Sequence, residues 1–182
     1  MAEARALLLE RLRRDAWREG RFRLASGRES DFFIDCKKVI LTAEGHRWTG
    51  EVLLDALESE GWAVTGVAGV ALGGCPLASA VSLTSALRGT ALDALYVRKE
   101  AKDHGTAARI EGSVPAGASV VLVEDVLTTG GSSRAAVEAL TAGGYRVAGV
   151  LALVDRAEGG VESLAAVGVP ARALFSRGDF VR

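Results

Sequence analysis

The chain of 182 residues contains no asparagine and no glutamine, and only two cysteines, two histidines and three prolines. It has no apolar run long enough to cross a bilayer, so no membrane partner is expected. Cys36 and Cys75 allow at most one bridge, and the N-terminal MAEARALLLERLRRDAW interrupts its short apolar stretch with acids and bases, unlike a secretion signal. A reducing, cytoplasmic setting is therefore expected. No Cys or His cluster has metal-ligand spacing, so no side chain is expected to bind metal directly. The net charge of −1 argues against a protein that coats nucleic acid. Asn and Gln deamidate when hot, so their absence suggests a thermophilic source, while a GC-rich genome would push composition partly the same way.

What remains is ample for a core: 49% of residues are hydrophobic and 25% charged. The length suits one compact unit, with an N-terminal helix and hood over residues 1–40 and a core over 41–182. Residues 3–18 read as a helix with Leu7, Leu8, Leu12 and Trp17 toward one face. Residues 20–40 alternate irregularly around Ser26-Gly27 and suit a hairpin or an irregular cap. Thr42 is placed to cap a helix reaching about Ser59 and ended by Gly61. Strands follow at 64–72, 91–97, 119–125 and 146–155, with helices at 76–88, 132–142 and 159–167 and a short last strand at 171–175. Strands apolar along their whole length are buried on both faces, which predicts an α/β fold with a doubly wound, mainly parallel sheet. Ligands of such sheets sit beyond the carboxyl ends of the strands.

The run VVLVEDVLTTGGSS (120–133) ends an apolar strand in Glu124 and Asp125, then supplies Val126, Leu127, Thr128, Thr129, Gly130, Gly131, Ser132 and Ser133 ahead of an Ala-rich helix. Glycines let successive N–H groups point inward, hydroxyls add donors, and a helix N-terminus adds partial positive charge, so the loop suits a phosphate. Two carboxylates would repel a bare phosphate. They make sense if the phosphate ends a sugar whose hydroxyls need acceptors, which reads as ribose 5-phosphate recognition. An ordinary capped turn would not need acids, hydroxyls and glycines in this order. No Lys follows the glycines as in a Walker A loop, and the pattern is not G-x-G-x-x-G.

A second polar stretch, YVRKEAKDHGTAARIEG (96–112), starts at a strand's carboxyl end and carries Arg98, Lys99, Lys102, His104 and Arg109. A charge run is usually a solvated loop. This one is long for a connection in a compact domain and contains Gly105, as a lid would. Its cations suit an anionic leaving group.

The first motif resembles the signature of type I phosphoribosyltransferases, and the second resembles the mobile loop of the orotate phosphoribosyltransferases. The likeness extends from Phe22 to about Gly160. It implies transfer of a 5-phosphoribosyl group from 5-phosphoribosyl 1-diphosphate to orotate in pyrimidine nucleotide synthesis, with Mg2+ held mainly by substrate and water. It also implies a homodimer in which loop 98–110 closes over the neighbouring site. By the resemblance, the diphosphate substrate is bound by Arg98, Lys99, Lys102, His104 and residues 124–132 (Glu124, Asp125, Val126, Leu127, Thr128, Thr129, Gly130, Gly131 and Ser132). Lys102, Glu124 and Asp125 are the implied catalytic residues. Arg156, Thr128, Phe32 and Phe33 are the implied orotate contacts. From the residues alone, Arg156 could simply pair with Asp155 or Glu158, and the two phenylalanines could be core.

Two positions depart from the family pattern: Ala25 and Gly73 stand where some members have lysine. The family often holds the loop after the first sheet strand with a non-proline cis peptide, expected here near Ala71-Leu72. The alternatives are transfer to another base and a non-catalytic regulator that senses the diphosphate. The net charge and the lack of an added DNA-binding module disfavour the regulator.

Overall fold

Alternation of buried side chains along the strands builds the molecule around a six-stranded sheet. In the computed structural model, residues 2–23, 29–99 and 109–181 are described. After helix α1 (Ala2–Arg11) the chain widens into a π-type turn over Leu12–Ala16 and enters strand β1 (Trp17–Arg23), antiparallel to β2 (Glu29–Ile34). A short helix α2 (Lys37–Ile40) leads to α3 (Ala43–Glu60), β3 (Gly66–Val70), α4 (Gly74–Leu87), β4 (Asp93–Val97) and β5 (Ile110–Glu111). Then come β6 (Ser119–Leu127), α5 (Gly131–Ala142), β7 (Arg146–Asp155), α6 (Gly160–Ala165) and β8 (Ala171–Ser176). The sheet order is β5-β4-β3-β6-β7-β8, parallel except for β5 against β4.

Both faces of the sheet are covered, as the doubly apolar strands predict. Val67, Val121, Val123, Leu151 and Leu153 pack with Leu8, Leu12, Leu53, Leu77 and Val81 in one cluster. Their alternating neighbours Ala68, Val120, Leu122, Val150 and Ala152 pack with Ala136, Leu140 and Leu164 in the other. Each fully buried Leu or Val contributes roughly 1.5–3 kcal/mol before chain entropy is set against it.

Local signals set most boundaries. The Thr42 side chain accepts from Gly45 N at 3.1 Å, and Gly61 closes α3 in the left-handed region at φ 66°. Gly50 lets α3 approach α4: a Cβ there would lie 2.6 Å from Ala80 O. The N-terminal helix is shorter than the sequence pattern predicts. Helical backbone, α to Arg11 and π-type to Ala16, stops two residues short of the predicted end, and Trp17 opens a strand because its ring stacks on Phe32 at 4.4 Å and on Phe180 at 4.9 Å. Leu7 is exposed and does not share the buried face of Leu8 and Leu12. The segment after it is a hairpin, with the Ser26-Gly27 turn outside the described residues. Strand β6 contains both acids, as predicted, and runs two residues past the predicted end to Leu127.

Candidate active site

The site forms where β3, β4, β6 and β7 release the chain. Glu124 is buried, and Ser133 Oγ and Ser132 Oγ donate to its Oε2 at 3.1 and 3.4 Å. Burial, then the Asp125 charge, pushes its carboxyl up to about 8, against the two serine hydroxyls and Lys99. Asp125, next on the strand, is also pushed up by burial, with Lys37 as the largest opposing influence. Its Oδ1 accepts from Val126 N at 3.0 Å.

The phosphate loop turns at Gly130, whose φ of 81° suits glycine and leads directly into α5. The loop rests on α6. A Cβ on Gly160 would lie 2.5 Å from Thr128 O, and one on Gly130 would lie 3.1 Å from Gly160 O. Thr128 is half-buried, and Thr129, Gly131 and Ser132 are exposed. The loop's backbone and hydroxyls are thus presented at a helix N-terminus, an arrangement that holds oxyanions.

Arg98 and Lys99 follow β4. Arg98 N donates to Arg109 O at 2.7 Å, and the Arg109 guanidinium returns to Arg98 O and Lys99 O at 3.3 and 3.1 Å. The two ends of the basic loop are therefore tied together. A cavity of about 200 Å³ lined by Val70, Val97, Arg98, Lys99, Arg109 and Ser132 brings this stem against the phosphate loop. Lys102, His104 and Gly105 lie outside the described residues, as does Ala25. After β3 the peptide Ala71-Leu72 is cis, as expected from the family pattern. Ala71 N is anchored on Val97 O at 2.8 Å.

Arg156 leaves the end of β7 with only 5% of its surface exposed. Its backbone N donates to Leu127 O at 3.0 Å, which joins this turn to the phosphate loop. Its guanidinium donates to Ser30 Oγ at 2.9 Å and lies 4.3 Å from the centre of the Phe32 ring. Arg156 Nε is 2.8 Å from Glu158 Oε1, an ion pair that does not satisfy the geometry of a hydrogen bond. Phe32 is buried between Trp17 and this guanidinium, whereas Phe33 is 39% exposed and tilted against Phe22 at 5.7 Å. Of the pair, Phe32 is covered by the Arg156 and Arg177 guanidiniums, 4.3 and 4.7 Å from its ring centre, and Phe33 meets solvent.

Sequence reasoning names Glu158 as a possible partner of Arg156, and that ion pair is present, but it singles out none of Asp35, Lys37 and Ser30 and reads Cys36 only as a reduced thiol, although all bear on the acids or on Arg156. Those contacts link residues as far apart as 30 and 156, a separation no local pattern encodes. The one local hint is the run Asp35-Cys36-Lys37-Lys38, with charges of both signs directly after Phe32-Phe33-Ile34.

A parallel sheet ending in two acids, a hydroxyl-rich phosphate loop and a neighbouring cationic stem defines the class: this is a phosphoribosyltransferase site. A family model described as phosphoribosyl transferase domain matches residues 48–170. An orotate phosphoribosyltransferase of Sorangium cellulosum is 55% identical over 183 residues, covering 99% of this chain and 94% of the relative. The crystal structure of Mycobacterium tuberculosis orotate phosphoribosyltransferase with Fe(III) dicitrate superposes with a TM-score of 0.85 at 36% identity, covering 98% of this chain and 99% of that one. The same enzyme in complex with 5-phospho-α-D-ribosyl 1-diphosphate gives 0.80 at 33% identity, covering 97% and 98%. The chain belongs to the orotate phosphoribosyltransferases.

Proposed function

We infer that this chain transfers the 5-phosphoribosyl group of 5-phosphoribosyl 1-diphosphate to orotate, giving orotidine 5′-monophosphate and diphosphate in pyrimidine nucleotide synthesis. The observation that carries this reading is near-full-length similarity to orotate phosphoribosyltransferases in a chain whose acids, phosphate loop and buried Arg156 stand around one end of the sheet.

The ring nitrogen of orotate attacks C1 of the ribose, and its N–H proton passes to water. The C1–O bond breaks with its electrons leaving on diphosphate, through an oxocarbenium-like transition state. Residues 128–132 anchor the 5-phosphate, so that a remote group positions the reacting carbon. Val126 and Leu127 carry the strand into that loop. Glu124 and Asp125 accept from the ribose hydroxyls, and their charge favours the developing cation. Arg98, Lys99, Lys102 and His104 stabilise the leaving group, with Lys102 supplying the largest effect. Arg156 takes the orotate carboxylate through its planar donors, with Thr128 and the Phe32-Phe33 segment beside the ring.

The oxygen-rich donor set suits magnesium, which would sit chiefly on substrate oxygens and water, near the two acids, and would neutralise the diphosphate charge. A homodimer with loop 98–110 closing on the neighbouring site belongs to the same proposal. Leu83 and Leu87, one turn apart on α4 and 59% and 80% exposed, support a surface that a second copy covers. Buried, free Cys36 and Cys75 support a reducing, cytoplasmic setting. Among the described residues no helix is long and apolar enough to cross a membrane.

The test is absorbance-monitored loss of orotate with the diphosphate substrate and magnesium, with adenine, hypoxanthine and uracil assayed in parallel. Turnover of orotate alone is expected. Turnover of another base instead would overturn the base assignment while leaving the phosphate loop in place.

A further inference from the structure

Asp125 has a neighbour on each side that the mechanism above leaves unused. On one side is Gly73: a Cβ there would lie 2.2 Å from Asp125 Cγ and Oδ2 and 2.4 Å from Oδ1. The carboxylate is therefore seated on a bare Cα, and any side chain at 73 would have to displace it. Position 73 gives the carboxylate room and no charge.

On the other side is the end of the N-terminal hairpin. Asp35 N donates to Ala16 O at 3.1 Å, and the buried Cys36 thiol reaches Asp125 O at 3.8 Å, so this segment is fastened to the catalytic strand. Lys37 follows as the first residue of α2, with Nζ 2.7 Å from Asp35 Oδ1. An ordinary surface pair would end there. This one does not, because Lys37 is also the strongest influence opposing the effect of burial on Asp125. Asp35 raises the ammonium most, and Asp125 raises it further.

We propose that Lys37 is a positioning residue of the reaction: it is the counter-cation of the Asp125 carboxylate, supplied from the N-terminal hairpin in a chain whose position 73 is glycine. The ammonium balances two carboxylates at once. Asp35 holds it in place, and Asp125 is kept charged and turned toward the ribose. The groups facing Asp125 are Asp35, Cys36 and Lys37 from the hairpin end and Glu124 from its own strand, while Gly73 brings none. This inference rests on the proposed role of Asp125 in holding the ribose.

The test is the pH dependence of kcat/KM for the diphosphate substrate in the wild type, Lys37→Met, Lys37→Arg and Asp35→Asn. In Lys37→Met the part of the acid limb that belongs to Asp125, distinct from the part set by Glu124, is expected to move up by about one pH unit and kcat/KM measured there to fall by about tenfold, the size of effect expected when a nearby charge partner is lost. Lys37→Arg should restore most of both. Asp35→Asn removes a competing acid, so its acid limb should move down, the opposite direction. If Lys37→Met does not fold, Lys37→Gln carries the same comparison with the wild type and Lys37→Arg. A Lys37→Met profile that coincides with the wild type would overturn the proposal. So would an equal loss in Lys37→Met and Lys37→Arg with no movement of either limb, since that is the mark of a merely structural residue. If the wild type turns over no base, the reading of the site fails instead, and the two failures are distinct.

Discussion

The proposed phosphate side and the proposed base side of the site are built in different ways. The phosphate side is contiguous: Glu124 through Ser133 pass from β6 through one glycine turn into α5, and Ser132 and Ser133 turn back onto Glu124. The base side is assembled from afar, with Arg156 held by Ser30 and Phe32 of the hairpin and by Glu158. A contiguous site carries its chemistry in the order of its residues. An assembled one exists only after the sheet has formed and the hairpin has docked. Leu127 O, accepting from Arg156 N, is where the two halves touch.

The comparison can be broken most sharply at Lys102, in the stretch proposed to bind the leaving group. Lys102→Ala is expected to lower kcat by about 100-fold or more, while binding of the diphosphate substrate weakens far less, as for a donor that acts mainly in the transition state. Single-turnover rates alongside equilibrium binding would check this, and near-normal turnover would remove the loop from the mechanism.

A smaller effect should separate the two sides by ligand. Gly130→Ala places a side chain at φ 81° and 3.1 Å from Gly160 O. The left-handed conformation costs a non-glycine residue roughly 1–2 kcal/mol, so affinity for ribose 5-phosphate should drop by about tenfold. Orotate KM measured at saturating co-substrate should stay close to the wild-type value.

The acids should give the phosphate side a pH signature. Glu124 is held up to about 8 against an ordinary 4.5, so the folded chain keeps an extra proton between those values. Its contribution to stability is therefore fully present below about pH 4.5 and is lost as pH rises through about 8. Affinity for the diphosphate substrate should run the other way, strengthening between about pH 6.5 and about 8.5 as the acceptor becomes charged. Glu124→Gln should flatten both trends, in thermal melts and in calorimetric titrations respectively.

The smallest effect belongs away from both sides. Thr42→Ala removes the cap on Gly45 N and should cost about 1 kcal/mol of stability, seen as a lower Tm with kcat unchanged.

The same contrast explains what the sequence discloses. The sheet strands are legible because β6 and β7 are apolar along nearly their whole length, and burial on both faces demands that. The phosphate loop is legible because its donors and acceptors are neighbours in the chain. Trp17 is misplaced on a helix by periodicity because its partners, Phe32 and Phe180, are distant in sequence and decide its conformation. The two-residue strand β5 is too short to leave a pattern. Lys37 escapes notice because a basic pair beside an acid looks like surface until the fold brings the preceding Cys36 onto Asp125 O at 3.8 Å. The cis peptide at Ala71-Leu72 is legible only through family likeness, since no residue type there demands it.

The division of labour between the two sides is tested most directly by calorimetric titration of wild type and Arg156→Leu with 5-phosphoribosyl 1-diphosphate and magnesium, followed by orotate. The two proteins should bind the diphosphate substrate alike, and the variant should lose orotate by about 100-fold, the scale of a lost buried ion-paired contact. Equal loss of both ligands, or undiminished orotate binding, would contradict the assignment of Arg156 to the base and of residues 124–132 to the ribosyl phosphate.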